Sequence, residues 1–171
     1  MFWTILVLIV ISIIGIVVYG NNKNKKNDEI LEGQGYLTSN KVSSGRYLAG
    51  HPELDSPIVG TVIYSIDSRL AIMQIDGFNV PTEKAKINVS DITNISVEDN
   101  TTIEKRVTVA RLLLTGIFAF ALRKSKKKEV AYLVIDWKSG KFNHETIFQF
   151  ESDGAMQKAN TARNGLIRFI K

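Results

Sequence analysis

The 171-residue chain contains no cysteine and only two histidines, His51 and His144. Without cysteine there is no disulfide, no thiol nucleophile, no thiolate zinc site and no lipid-modified cysteine anchor. Two isolated histidines leave little material for metal ligation or acid–base work. The motifs that carry common chemistries are missing too: no Walker loop, no G-x-G-x-x-G behind a strand, no H-E-x-x-H and no G-x-S-x-G occurs. Asp76-Gly77 and Asp153-Gly154 lack calcium-loop spacing and read as turn and helix-start chemistry. These absences predict a protein that is not an enzyme and holds no cofactor or metal. Disorder throughout is excluded as well, because 44% of the residues are hydrophobic and only 23% charged.

Charge is also missing from residues 1–20, MFWTILVLIVISIIGIVVYG, where Thr4, Ser12 and Tyr19 are the polar interruptions. At 1.5 Å per residue, ~19 helical residues reach ~29 Å, the hydrocarbon thickness of a bilayer. Inside lipid every backbone polar group must be bonded within its own segment, so the run is predicted to be a transmembrane helix. Trp3 and Tyr19 fall near its two ends, where amphipathic rings sit at headgroup level. A cleaved signal peptide would need a basic start, a shorter apolar run and a small-x-small site. Here no Lys or Arg precedes the run, and Val18-Tyr19-Gly20 makes a poor cleavage site. Lys23, Lys25 and Lys26 follow it with no acid among them, which predicts a single-pass cell-membrane protein whose C-terminal part is cytoplasmic. Residues 21–44 then read as a polar, basic linker, a tether of ~20 residues.

From residue 45 the signals change to β structure. A short candidate strand at 45–49 ends at Gly50-His51-Pro52, and IVGTVIY (58–64) and LAIMQI (70–75) flank Ser65-Ile66-Asp67-Ser68-Arg69 at hairpin-like spacing. AKINVSDITNISV (85–97) alternates with a slip in phase near Asp91, predicting a bend or bulge between two short strands. VAYLVIDW (130–137), the turn Lys138-Ser139-Gly140-Lys141 and FNHETIFQF (142–150) form a second hairpin. Ala155, Ala159, Ala162, Leu166, Phe169 and Ile170 then fall on one face of a helix over 153–170, with Ser152 and Asp153 expected as its cap and first-turn acid. The tripeptides at Asn88, Asn94 and Asn100 fit the glycosylation pattern, but in this Asn- and Lys-rich, bacterial-looking composition they read as strands and turns.

Gly60-Thr61-Val62-Ile63-Tyr64, Ser68-Arg69-Leu70-Ala71-Ile72, Asp91-Ile92-Thr93-Asn94-Ile95, Tyr132-Leu133-Val134-Ile135 and the terminal helix together resemble the bacterial pleckstrin-homology-like and GRAM-like domains. The resemblance covers residues 45–171. It implies a mainly β domain, a seven-stranded bent antiparallel sheet or partly open barrel capped by the C-terminal amphipathic helix. It also implies lipid- or protein-binding roles without catalysis.

An apolar and basic insert at 105–128 departs from that pattern. Its uninterrupted apolar run, LLLTGIFAFAL (112–122), is about half of what a bilayer demands, so a second crossing is not expected. Three readings stand beside one another: a core element, a segment dipping into headgroups, or a protein-docking surface. Arg123, Lys124, Lys126, Lys127 and Lys128 follow directly and are the candidate lipid-binding residues. On an anionic leaflet five such cations are worth ~5 kcal/mol if all lie within a Debye length of it. Setting Lys23, Lys25 and Lys26 aside leaves 19 cations against 17 acids, so no broad basic face exists and no nucleic-acid partner is expected.

The sequence thus predicts a membrane-tethered, non-enzymatic binding module contacting anionic lipid headgroups or a partner protein at the inner membrane face. The alternatives are an extracytoplasmic structural or exclusion protein, and a membrane-anchored enzyme without a recognisable motif. A cluster of His144, Glu145 and a serine in a deep pocket would favour the last.

Overall fold

The structure is a computed structural model and describes residues 2–36, 41–55, 57–75, 81–106 and 129–171. It comprises two compact units, Met1–Ser39 and Asn40–Lys171.

The first unit is a single helix, α1 (Phe2–Gly33). The sequence assigned 21–44 to a tether, but the helix runs on through residue 33. Asparagines are poor helix formers, yet propagation from an already formed helix requires no new nucleus. The helix stops at Gly35, which takes φ +88°. There the Tyr36 N–H donates to the Leu31 carbonyl (2.8 Å) and the Gly35 N–H to that of Glu32 (2.9 Å), the paired bonds of a Schellman C-cap. Residues 21–33 therefore add ~20 Å of polar helix beyond the apolar run.

The second unit is mainly β. Its strands are β1 (Lys41–Ala49), β2 (Ile58–Ile66), β3 (Arg69–Gln74), β4 (Thr82–Asn88), β5 (Ile92–Glu98), β6 (Val130–Ser139) and β7 (Phe142–Glu151). They form one antiparallel open sheet in the order β4-β3-β2-β1-β7-β6-β5. The first strand begins at Lys41 rather than residue 45, because Ser43 and Ser44 pair with Ile63 and Val62 of β2 in spite of their polarity. The β2–β3 hairpin turns on two residues only, Asp67 and Ser68, both with positive φ, as a tight primed turn requires.

The phase slip at Asp91 is a 3-10 turn, Val89–Asp91, between β4 and β5. These two strands lie at opposite ends of the sheet order. In a flat sheet they would stand ~29 Å apart, six spacings of ~4.8 Å, whereas the four steps from Asn88 to Ile92 span at most ~14 Å. The sheet must therefore curl strongly for its two margins to meet at that corner.

The concave face holds the main core: Tyr47, Ile63, Leu70, Ile72, Leu133, Ile135, Trp137, Phe148 and Phe150 among others. A C-terminal helix, α3 (Ala155–Ile170), closes it through buried Ala155, Ala159, Ala162 and Leu166, the stripe read from the sequence. Phe169 and Ile170 pack against it half-buried. The cap differs from the expectation. Gly154, in the left-handed region, precedes the helix and makes no side-chain cap bond. Glu129 accepts the Met156 N–H through Oε1 instead (3.2 Å), and Ser152 Oγ accepts from Lys158 Nζ (2.8 Å).

The convex face carries a second cluster of Leu48, Ile103, Tyr132, Val134 and Ile147. Ile103 belongs to a short helix, α2 (Asn100–Arg106). Asp99 starts that helix by accepting the Thr102 N–H at 2.7 Å. The Tyr132 hydroxyl donates to Asn100 Oδ1 (2.7 Å) and ties α2 to β6. With both faces covered, β6 is apolar at successive residues, which explains the unbroken run VAYLVI. Residues 107–128, the rest of the insert, lie outside the described residues.

Candidate functional site

Every residue of α1 from 5 to 19 is exposed. Ile5, Leu6, Val7 and Leu8 in succession already point to all sides of the helix, so within this unit the apolar surface has no covered face among the described residues. The span reaches a mean hydropathy of 2.3 with none of it buried, long and apolar enough to cross a membrane. Trp3 and Tyr19, the expected interfacial rings, are 75% and 68% exposed. Lys25 and Lys26 are exposed on the following turns, and Lys23 lies on the same helix. The five cations Arg123, Lys124, Lys126, Lys127 and Lys128 lie outside the described residues.

Two features of the β unit were not singled out by sequence reasoning. The first is a stack of rings at one end of the sheet. Trp137 on β6 lies 4.5 Å from His144 on β7 and 5.1 Å from His51 in the β1–β2 loop, measured between ring centroids. Its indole N–H donates to Thr146 Oγ1 (2.9 Å). His51 is 4% exposed, although the sequence marked it only as a loop residue without a partner. Its Nδ1 faces the Glu53 N–H (3.2 Å), which can only donate, so Nδ1 accepts and the ring proton sits on Nε2. Nε2 donates to the Lys86 carbonyl on β4 (3.0 Å). The His51 backbone N–H donates to the Tyr47 hydroxyl (3.0 Å), which in turn donates to the Leu54 carbonyl (3.3 Å).

Burial pushes the His51 imidazole below the ordinary histidine value, against the smaller opposing pull of its bond to Lys86 and of the Glu53 carboxylate. Burial likewise raises the Tyr47 phenol above its ordinary value, the bond from His51 opposing. Gly50 makes the close approach of this loop feasible. It takes φ +98°, and a Cβ there would run into the carbonyl oxygen of Glu145.

The second feature is the tip of the β6–β7 hairpin. Residues 138–143 are all exposed, with Lys138, Lys141 and Phe142 among them. Phe142, at 71%, is the one exposed aromatic side chain among the described residues of this unit. The tip carries two cations and no acid, the nearest acids on these strands being the cross-strand pair Asp136 and Glu145.

The arrangement offers little for covalent chemistry. A cleft of about 410 Å³ between β1, β7 and α3 is lined by Val42, Ser43, Ser44, Phe150, Gln157, Lys158, Thr161 and Ala162, with no carboxylate or imidazole beside its hydroxyls. His144 and Glu145 are adjacent on β7 and point to opposite faces, so they do not converge on one serine. Among the described residues no three His, Asp or Glu side chains are grouped to hold a metal ion. Arg69 approaches Glu83 at 3.7 Å. Asp91 accepts from Asn88 and Ser90 within its own turn. Comparisons with protein-family models, curated proteins and solved structures find no match to this chain.

Proposed function

We propose that this chain is a membrane-tethered, non-enzymatic binding module: α1 crosses the bilayer once, and the β unit works at the cytoplasmic face by contacting anionic lipid headgroups. The observation that carries the reading is the exposure of α1 around its whole circumference, which in water would leave fourteen large apolar residues unsheltered. Retention of Lys23, Lys25 and Lys26 on the cytoplasmic side sets the orientation. A pleckstrin-homology-like assignment of the β unit is supported by seven antiparallel strands, the central place of β1 between β2 and β7, and a C-terminal helix over the concave face.

Arg123, Lys124, Lys126, Lys127 and Lys128 supply the headgroup contact, with Lys138, Lys141 and Phe142 of the hairpin tip as a second point of touch. Individually these contacts are weak, at ~1 kcal/mol per cation. Confinement by α1 raises their effective concentration to the millimolar range, so weak contacts suffice.

Because the native chain has no thiol, Ser139→Cys gives one labelling position at the tip. In intact cells this cysteine is expected to resist a membrane-impermeant reagent; labelling from outside would reverse the orientation and favour an extracytoplasmic role. The full chain bearing bimane at residue 139 is then placed in nanodiscs of neutral or of anionic lipid. A blue shift confined to anionic discs is expected, lost when the five cations of 123–128 become Gln or when salt shortens the Debye length from ~10 Å to ~3 Å. The same spectrum in both lipids would exclude headgroup binding and leave a protein partner.

A further inference from the structure

From the ring stack and its hydrogen bonds we infer that residues 50–55 form a strap latched shut by neutral His51 across one end of the sheet, and that protonation of His51 opens it. The latch uses every polar atom the residue has. Its backbone N–H is held by Tyr47, its backbone carbonyl by the Leu54 N–H, Nε2 by the Lys86 carbonyl, and Nδ1 by the Glu53 N–H. A neutral imidazole has one donor and one acceptor, and both are committed. A second proton has only Nδ1 to occupy, where it meets the Glu53 N–H head-on at a 3.2 Å separation. Protonation and the closed strap therefore exclude each other.

Charged and titratable groups act on the ring from the loop and from the neighbouring strands. From the loop, Glu53 favours an imidazolium, and from β7 His144 opposes it. β1 contributes the Tyr47 phenol, on which Asp55 acts, and β4 the Lys86 carbonyl, whose bond to Nε2 favours the imidazolium. β6 contributes Trp137, which does not titrate but whose face attracts a cation. Burial is the largest influence and keeps the ring neutral in the closed form. Release of the strap removes His51 from the Trp137 face and uncovers the Lys86 carbonyl on β4, a terminal strand of the sheet. Gly50 is the pivot, since only its backbone lets the strap lie against β7.

Trp137 reports the event directly. The chain has two tryptophans, so Trp3→Phe leaves a single emitter. The full chain carrying that change, in neutral-detergent micelles, is titrated from pH 8 to pH 5 while emission maximum, acrylamide quenching and far-ultraviolet circular dichroism are followed. The expected result is a red shift with a several-fold gain in quenching, its midpoint below the ordinary histidine value of 6.5, at constant circular dichroism. The transition is expected to vanish in His51→Gln, whose amide can still donate to Lys86, and to persist in His144→Gln. Hydrogen exchange of the parent, corrected for intrinsic rate, gives a readout that needs no variant: protection at Glu53 and Leu54 falls at least tenfold on acidification while β2 and β3 keep theirs. Identical titration of parent and His51→Gln would overturn the latch. So would loss of circular dichroism together with the spectral change, or exchange at 53–54 that does not respond to pH.

Discussion

Two residues joined by a hydrogen bond, His51 and Tyr47, set opposite pH limits on the stability of the β unit. His51 has a folded-state value lowered by burial, so between that value and 6.5 the unfolded chain binds the extra proton. Its contribution is therefore complete above pH 6.5 and declines as pH falls through that window, by at most ~1.4 kcal/mol per pH unit. Tyr47 has a raised value, so its contribution is complete below pH 10.0 and is lost as pH rises past it. Urea midpoints measured across pH are expected to plateau between these limits, with the acid limb flattened in His51→Gln; an unchanged limb would exclude His51 as its source. At the neighbouring position, Gly50→Ala must displace either the loop or β7, and is expected to cost about 2–4 kcal/mol in urea denaturation. Part of this cluster was legible. The β6–β7 hairpin was expected, but with a four-residue turn at 138–141, which would set Trp137 opposite Phe142; the two-residue turn at Gly140-Lys141 sets it opposite His144 instead. His51 was not legible, because its partner Lys86 is 35 residues away and nothing local marks it.

Among the elements, those with a strong period and local partners were readable. The hairpins and the buried stripe of α3 follow from alternation and from 3.6-residue spacing, both properties of short windows. The N-terminus of α3 was not: Ser152-Asp153 has the look of a cap, but the acceptor is Glu129, brought there by the start of β6. The continuation of α1 was missed because its polar half has no amphipathic signal and forms as an extension of the half before it. Exposure of that first half carries its own expectation. Placing arginine at both Ile9 and Ile13 adds ~5–7 kcal/mol to the cost of insertion on the translocon scale. The double variant is expected to leave the membrane pellet for the soluble fraction, and its retention in the pellet would remove α1 as a spanning segment. Within α3, Ala159→Leu forces extra volume against the concave face and is expected to lower stability by ~1–3 kcal/mol, read from the thermal midpoint.

At the scale of the whole β unit, the strand order was beyond the sequence. Pairing of β1 with β7 joins Tyr47 to Phe148, a contact across about a hundred residues that no window reveals. The curl it produces leaves two margins, β4 and β5, which would ordinarily invite another strand. Each has a side chain on a backbone carbonyl: His51 on that of Lys86, and Arg163 of α3 on that of Ile95 at 2.9 Å. Arg163→Ala is expected to cost ~1–2 kcal/mol and to raise the concentration-dependent dimer fraction in sedimentation velocity, since the β5 margin loses its cover. A variant as monomeric as the parent would show that the curl alone protects that margin.

The jointless passage of α1 from apolar to polar residues has a geometric consequence. A rigid screw couples height to azimuth: each residue added between positions 20 and 33 lifts the C-terminal end of the helix by 1.5 Å and turns it by 100° about the axis. Lengthening by four residues would raise the end by ~6 Å and rotate it by about 40°, whereas lengthening by two would raise it by only ~3 Å and reverse most of its heading. In this protein the length of a helix is also a compass setting.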